Sequence, residues 1–221
     1  MSCHINLKRI GIYAAGLILL AAGLTLNTKT GLGTAPVISV PLTVATILQQ
    51  NFAVMTFVLY VIFVLLQFLL RKDRSWHIFP EIPFSVVFSS LLDLFSRVLN
   101  IRCTALWQQI AVLAVAIVIS AVGVALSVGM QIIPNPADGM AQTIGLLTDR
   151  GTGFGKNVLD ISCVVASALL MGVTRVSAGS IGIGTLITMI GVGRVIASFN
   201  RRFGEKLAAI RQQPLWNSLN M

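Results

Sequence analysis

Residues 21–36 read AAGLTLNTKTGLGTAP, and residues 121–136 read AVGVALSVGMQIIPNP. At an offset of 100 residues, Pro36 meets Pro136. The order of features also repeats, because each half has an apolar helix, a stretch broken by glycine or proline, and two further apolar segments. Two Gly/Pro-interrupted segments at matching places in two halves are the sequence pattern of a transporter built from repeats.

The composition is that of a membrane protein. Of the 221 residues, 56% are hydrophobic and only 10% are charged, and the mean hydropathy is +0.88. A soluble domain carries about 25% charged residues. Lys and Arg total 16 against 7 acids, which gives a net charge of +9. Because the basic residues lie at the ends of apolar runs, they suit the anionic surface of a lipid bilayer, and no nucleic-acid partner is expected.

We expect one integral membrane domain over residues 1–221. Repeat one covers about 8–100, repeat two covers about 105–200, and a basic cytoplasmic tail covers 201–221. The tail has the pattern of an amphipathic helix that lies on the inner membrane surface and ends at Pro214. A basic pair before the first apolar run resembles a signal peptide, but the other apolar segments and the lack of a cleavage site favour a first membrane helix.

Six segments approach the length of about 20 apolar residues that a membrane-spanning helix needs. They lie at about 10–26, 52–70, 83–99, 105–129, 157–174 and 181–199. The third carries Asp93 and Arg97, and the sixth is loosened by glycines and carries Arg194, so these two could instead dip into the membrane and return. We expect all six to span, because segments of about 17–19 residues rise roughly 26–29 Å at 1.5 Å each, close to the hydrocarbon thickness.

The basic residues indicate the orientation. With six spans, most of them lie on the side of the two termini, which the positive-inside rule places in the cytoplasm. The alternative of four spans puts slightly more of them inside, so charge alone does not separate the two arrangements. Six spans make the repeats inverted, in a multi-pass protein of the bacterial plasma (inner) membrane. Trp76 and Trp107, near segment ends, are expected to be interfacial anchors.

The broken stretches fill the same place in each half. Residues 27–50 read NTKTGLGTAPVISVPLTVATILQQ, and residues 134–157 read PNPADGMAQTIGLLTDRGTGFGKN. The first is too apolar for a solvated loop and too short for two spans, which predicts a broken or re-entrant short helix. Non-helical backbone at membrane depth is tolerated only where it is buried in protein or lines a wet cavity. The two stretches therefore predict a site between them.

Substrate-binding candidates come from these two breaks. Glycines allow a tight turn, proline starts the helix that follows, and a helix N-terminus inside the membrane points N–H groups at whatever fills the cavity. The alternative is a structural turn that folds the short helix back. In the second break, Asp138 either contacts substrate or caps a helix that begins near Gly139. The candidates are Gly31, Gly33, Thr34, Pro36, Pro136, Asp138 and Gly139.

Two acids, Asp93 and Asp160, lie inside apolar segments. An ionisable group at membrane depth costs at least ~2.5–3.5 kcal/mol on the insertion scale, so such residues are candidates for proton or ion coupling. The alternative for each is an interfacial ion pair, because Arg97 follows Asp93 by four residues and Lys156 precedes Asp160 by four. The sequence leaves the two interpretations open.

No catalytic set emerges, and we expect neither an enzyme nor a metal or cofactor site. The histidines, His4 and His77, lie in polar flanks, and the chain has no HExxH, GxSxG or Walker motif. The aspartates lack the glycine-flanked setting of an intramembrane aspartyl enzyme. The cysteines are odd in number and far apart, which predicts free thiols. They are Cys3, Cys103 and Cys163.

Three short motifs carry a family resemblance: GLGTAP before an apolar short helix, PNPADG in the second half, and IGIGT before the last helix. Together they resemble the YczE/YyaS/YitT family of bacterial integral membrane proteins over about residues 10–200. The YczE branch fits best, because the chain lacks the soluble C-terminal domain of the YitT branch. The family often has a polar or aromatic pair where Val37 and Ile38 stand here, whereas Asp138 matches its acidic position. The resemblance implies a helical membrane fold and no established activity.

Two functions fit these patterns. The first is a small secondary transporter or exporter of an unknown small molecule or ion, with Asp93 or Asp160 as a coupling acid. Its site lies near the midplane, between the breaks at 31–36 and 134–139. At 23.7 kDa we expect a homodimer or larger assembly. The second is a non-transporting accessory protein that stabilises or regulates a partner complex through small-residue helix faces such as Gly182.

Overall fold

The computed structural model describes four stretches of the chain. They are residues 7–71, 78–101, 103–176 and 179–212. Several sequence expectations lie outside the described residues, namely those for Cys3, His4, Trp76, His77 and Pro214.

The described residues form eight α-helices and no strand. In chain order they are α1 (Leu7–Thr28), α2 (Pro36–Leu48), α3 (Phe52–Leu70), α4 (Glu81–Val98), α5 (Leu106–Met130), α6 (Pro136–Leu147), α7 (Gly151–Thr174) and α8 (Ile183–Gln212). Five of these, α1, α3, α5, α7 and α8, are long and apolar enough to cross a membrane. The prediction of an all-helical membrane bundle is confirmed at that level. The short helices α2 and α6 occupy the two Gly/Pro-broken stretches.

Three helices differ from the predicted segments. α4, the third segment, falls outside the apolar five because it carries Glu81, Asp93 and Arg97 within 18 residues. α7 begins at Gly151, inside the stretch that was expected to be broken. α8 continues without interruption to Gln212, so the first part of the tail extends this helix rather than forming a helix of its own.

The long helices α1 and α5 run antiparallel in close contact. A Cβ added at Gly16 would lie 2.7 Å from the backbone nitrogen of Ser127, and one added at Gly23 would lie 2.8 Å from the Cα of Ser120. On the other helix, a Cβ added at Gly123 of α5 would lie 2.7 Å from the carbonyl oxygen of Gly16 of α1. Small residues at such places let membrane helices approach closely.

The charged helix α4 runs beside α1 in the same direction. Near the starts of the helices, the ring centroids of Tyr13 and Phe84 are 6.4 Å apart. Near their ends, Lys29 Nζ donates to the carbonyl oxygen of Ser96 at 3.4 Å. α3 runs in the opposite direction, since its first residues lie by the end of α4. The third segment is therefore a continuous helix that packs against both α1 and α3.

Equivalent helices of the two repeats make equivalent contacts. α1 packs on α4 as α5 packs on α8, and α2 packs on α3 as α6 packs on α7. Across the repeats, α2 contacts α7 as α6 contacts α3. Residues at the offset of 100 occupy matching places: Gln67 lies against Gly139, and Ser167 Oγ lies 2.8 Å from Ser39 Oγ. This exchange of partners is typical of a two-fold pseudo-symmetric pair.

One contact breaks the symmetry. α3 packs along α4, where the ring centroids of Tyr60 and Phe88 are 5.9 Å apart. The equivalent helices, α7 and α8, make at most a marginal contact over their described residues. The bundle is thus closed along α3 and α4 and parted along α7 and α8.

Candidate functional site

A cavity of about 380 Å³ lies beside the first turns of α2 and α6. Both repeats build its wall, and many lining residues are partners at the offset of 100. These pairs are Leu20 with Ser120, Leu24 with Val124, Ala35 with Asn135, Val37 with Ala137, Ile38 with Asp138, and Tyr60 with Asp160. A cavity lined by matching residues from two halves lies on their pseudo-symmetry axis. It extends between α7 and α8, which supply Gly153 and Gly193.

The charged groups of the cavity all come from the second repeat. They are Asp138 in the first turn of α6, and Lys156 and Asp160 on α7. The first repeat supplies aliphatic side chains and Tyr60. The site is therefore a mostly apolar chamber with a charged wall on one side, which is the usual composition of a small-molecule site.

Asp160 is the most deeply placed of these charges, with 4% of its surface exposed. Its Oδ1 accepts no hydrogen bond from any described residue. Lys156 Nζ lies 3.8 Å from this oxygen, so the predicted i,i+4 pair forms but is longer than a hydrogen bond. A buried acceptor without a donor is costly in a medium of low dielectric constant. Asp160 Oδ1 is therefore available to a ligand in the cavity.

Asn135 joins the start of α6 to α3. Its side-chain oxygen accepts from the Ala137 backbone N–H at 3.0 Å, and its Nδ2 donates to Tyr60 Oη at 3.3 Å. Asn135 is thus the cap of α6, which begins at Pro136. The expectation that Asp138 might cap a helix beginning near Gly139 is wrong, because α6 begins at Pro136 and Asp138 lies within its first turn. An acidic side chain there is still favoured by the helix dipole.

The first break contributes Pro36 to the cavity, while its glycines lie behind it. Gly31 and Gly33 have φ angles of +72° and +102°, a region that favours glycine. The Thr34 backbone N–H donates to the carbonyl oxygen of Ser180 at 2.9 Å, and Thr34 Oγ1 donates to the same oxygen at 3.1 Å. Gly33 and Thr34 hold the turn against the segment before α8, whereas the nearest neighbour of a Cβ added at Gly31 would be Gln109 of α5.

That segment is the IGIGT motif. The Gly184 backbone N–H donates to the carbonyl oxygen of Leu32 at 2.8 Å, and a Cβ at Gly184 would lie 2.8 Å from the same oxygen. Gly182 contacts Leu32 as closely. The motif is therefore a close packing position, but its partner is the turn between α1 and α2.

Pro136 and Gly139 face away from the cavity, toward a buried polar pair. A Cβ added at Gly139 would lie 2.6 Å from Gln67 Oε1 and 2.7 Å from Glu81 Oε1. Gln67 Nε2 donates to Glu81 Oε2 at 2.8 Å and to the carbonyl oxygen of Pro136 at 3.3 Å. Gln67 is completely buried and Glu81 is 2% exposed. This pair holds the first turn of α6 from behind.

Asp93 lies outside the cavity. Asn51 Nδ2 donates to Asp93 Oδ1 at 2.6 Å, and Arg97 Nη2 lies 2.9 Å from Asp93 Oδ2. The i,i+4 ion pair of Asp93 and Arg97 is therefore present. The structure brings Pro36, Asp138 and Asp160 together at one cavity, and it does not bring Asp93 to them.

Sequence reasoning missed four polar residues of the site and its support. They are Tyr60, Gln67, Glu81 and Asn135. The offset of 100 was the available signal for Tyr60, which pairs with Asp160, and Gln67 is a polar residue in an otherwise apolar helix. Within the described stretches, no three or more His, Cys, Asp or Glu side chains are placed to hold a metal ion. Cys103 and Cys163 are free thiols.

Comparison with known proteins gives a family and no activity. No curated protein and no solved structure matches this chain. A model described as a family of unknown function, DUF6198, matches residues 7–201, a range that contains both repeats and every cavity-lining residue. The chain therefore belongs to the DUF6198 family.

Proposed function

We propose that this protein is a small secondary transporter that moves a solute through the cavity between α2 and α6 by alternating access. One observation carries the proposal: the cavity lies between the two broken segments and is lined by residue pairs at the offset of 100. Transporters built from repeats bind their substrates near the midplane, at the interface of the repeats, beside discontinuous helices. The resemblance to YczE-like proteins remains a prediction from the sequence.

The proposal takes α1, α3, α4, α5, α7 and α8 as six spans, with α2 and α6 reaching only part of the way. Two contacts support this arrangement over four spans. α4 follows α1 from end to end, and α1 and α5 run antiparallel, so the two repeats point in opposite directions. The positive-inside rule then places both termini in the cytoplasm of a bacterial cell.

The difference between the repeats supports alternating access. α3 is closed on α4, while α7 and α8 are parted and both line the cavity. In a pseudo-symmetric pair, the second state exchanges the two conformations, so that α7 closes on α8 and α3 leaves α4. With the termini inside, the first turns of α7 face the cytoplasm, and the structure corresponds to the inward-open state.

Cysteine accessibility tests this without knowledge of the solute. In a variant with Cys3, Cys103 and Cys163 replaced by serine, Val192→Cys places a thiol on the cavity wall. A membrane-impermeant thiol reagent is applied to right-side-out and to inside-out vesicles. We expect labelling from both sides, faster from the cytoplasmic side, because the cavity opens to each in turn.

The control is Val173→Cys in the same background, at the far end of α7, where the side chain is 82% exposed. It should react from the outer side alone. If Val192→Cys also reacts from one side alone, alternating access is refuted, and an accessory protein with a one-sided pocket becomes the better assignment.

A further inference from the structure

We propose that the cavity binds a monovalent organic cation, an amine or quaternary ammonium with an apolar body, and that Asp160 and Asp138 are its counter-ions. This inference rests on the proposed function, since it names the solute class for the same cavity. Three independent features of the wall carry it: its charge balance, a carboxylate oxygen that accepts no hydrogen bond, and the chemistry of the remaining surface.

With both of its acids ionised, the wall has a negative charge balance. Its ionisable groups are two carboxylates, Asp138 and Asp160, and one ammonium, Lys156, with the phenol of Tyr60 beside them. Lys156 can neutralise only one of the two acids. An uncompensated charge is expensive away from water, and a cation in the cavity removes that penalty.

The carboxylate oxygen that accepts no hydrogen bond is Asp160 Oδ1. It lies on the wall of the cavity, is buried, and accepts no hydrogen bond from the described residues. The 3.8 Å separation from Lys156 Nζ leaves room for a donor. An amine N–H would supply a charge-assisted hydrogen bond at this atom, and a quaternary ammonium would supply the charge without the bond.

The two groups that could attract an anion, the ammonium of Lys156 and the N-terminus of α6, already lie next to acids of the chain itself. Lys156 lies beside Asp160, and the N-terminus of α6 already faces the carboxylate of Asp138 in its own first turn. An anionic solute would meet both acids and be repelled. A cation meets both acids on the same wall.

The rest of the wall selects an apolar body. The cavity is also lined by aliphatic side chains and a methionine, namely Leu20, Leu24, Val124, Met189 and Val192. A volume of about 380 Å³ lies at the lower end of the range of roughly 300–1,000 Å³ for small-molecule sites. A fully hydrated inorganic ion would leave this aliphatic surface without a partner, whereas the alkyl or aryl part of an organic cation covers it.

Benzyltrimethylammonium chloride is the probe, and sodium benzoate is its anionic counterpart of similar size. Each is titrated into the full-length protein in detergent, at ionic strength matched with sodium chloride. The thermal unfolding midpoint and the heat of binding are measured. We expect a saturable rise in the midpoint with the cation, because a ligand that binds only the folded state stabilises it, and no rise with benzoate.

Three variants make the test specific. Asp160→Asn should weaken binding of the cation about tenfold or more, as the loss of one charged contact does. Lys156→Gln should strengthen it, because it removes the competing ammonium. Asp149→Asn changes the same charge outside the cavity wall and should bind as the natural chain does.

The outcomes separate this inference from the transport function. Binding of benzoate but not of the cation, equal binding by Asp160→Asn, or no binding of either probe each overturns the cation assignment. If Asp160→Asn does not fold, the Lys156→Gln variant provides the test. Weaker binding of the cation by Lys156→Gln would overturn the assignment, because the proposal requires that removal of this ammonium strengthens binding. Two-sided labelling of Val192→Cys together with any of these failures would retain a transporter and reject the solute class.

Discussion

Asn51 Nδ2 donates a hydrogen bond to Asp93 Oδ1 at 2.6 Å, and this bond joins the start of α3 to the end of α4. The positions 100 residues further on are Gly151 and Gly193, which have no side chains to form it. The helices that carry these glycines, α7 and α8, are the parted pair. We call the hydrogen bond between Asn51 and Asp93 the clasp. It joins the closed pair of helices, α3 and α4, and has no equivalent between the parted helices, α7 and α8.

Loss of the clasp should open the outer side. Asp93→Ala removes the acceptor of the Asn51 hydrogen bond, and we expect faster labelling of Val192→Cys from the outside. The measurement is the labelling rate in right-side-out vesicles. Arg97→Ala removes the exposed ion-pair partner and leaves the clasp, so it should change the rate little, because solvent screens exposed ion pairs. Equal rates in the Asp93→Ala and parent proteins would refute the clasp.

Installing the clasp on the other side should have the opposite effect. Gly151→Asn with Gly193→Asp copies the pair into the second repeat, and a Cβ at either glycine meets no atom within 4 Å. Asn tolerates the φ of +77° at Gly151 better than most residues. We expect slower labelling of Val192→Cys in inside-out vesicles. Each single variant is the control, and an effect of the double variant no larger than their sum would contradict the prediction.

The contact between α1 and α5 should depend on its glycines. Gly123→Val places a branched side chain where a Cβ already lies 2.8 Å from the Cα of Leu20. Forced overpacking of this kind costs typically about 1–3 kcal/mol, occasionally more. We expect a lower thermal unfolding midpoint in detergent. Gly172→Val, where nothing lies within 4 Å of the Cβ position, is the matched control and should unfold near the parent midpoint.

The buried pair of Gln67 and Glu81 should show strong coupling. Gln67→Leu removes the Nε2 donor and leaves Glu81 buried without it, a loss of about 1–3 kcal/mol or more for a charged group. Glu81→Leu with Gln67→Leu removes both polar groups and should restore part of that loss. Unfolding free energies of the two single variants and the double variant measure the coupling. Additive effects would show that the pair does not act as a unit.

Gly139 should matter because it lies between that pair and the cavity. Gly139→Ala brings a methyl group to 2.6 Å from Gln67 Oε1, so the buried Gln67–Glu81 pair must rearrange. Because Gln67 also bonds to the carbonyl oxygen of Pro136, we expect the rearrangement to move the first turn of α6, which carries Asp138. We expect weaker binding of benzyltrimethylammonium with little change in the unfolding midpoint. Gly172→Ala, in open space away from the cavity wall, is the control for the loss of a glycine. Unchanged binding of benzyltrimethylammonium by Gly139→Ala would show that the Gln67–Glu81 pair does not position Asp138 through this glycine.

The sequence by itself determined the helical membrane architecture and the places of the two short helices. Apolar runs and prolines at the first helical position are local properties, because each depends on residues that are neighbours along the chain. The offset of 100 is found by comparing the two halves of the sequence. These patterns located α2 at Pro36 without any knowledge of how the helices pack. They placed α6 in the second break but started it near Gly139, three residues after its actual start at Pro136.

Only the tertiary structure decided which polar residues meet. Asp93 and Asp160 have the same local pattern, an acid four residues from a base in an apolar segment, yet Asp160 lines the cavity and Asp93 bonds to Asn51. Tyr60 and Asn135 are 75 residues apart in sequence and share one hydrogen bond. Which face of a helix is covered depends on the helices that pack against it, and in a membrane the apolar pattern is nearly uniform around the helix. The side chains of α3 and α7 therefore acquire their roles only when both repeats are assembled.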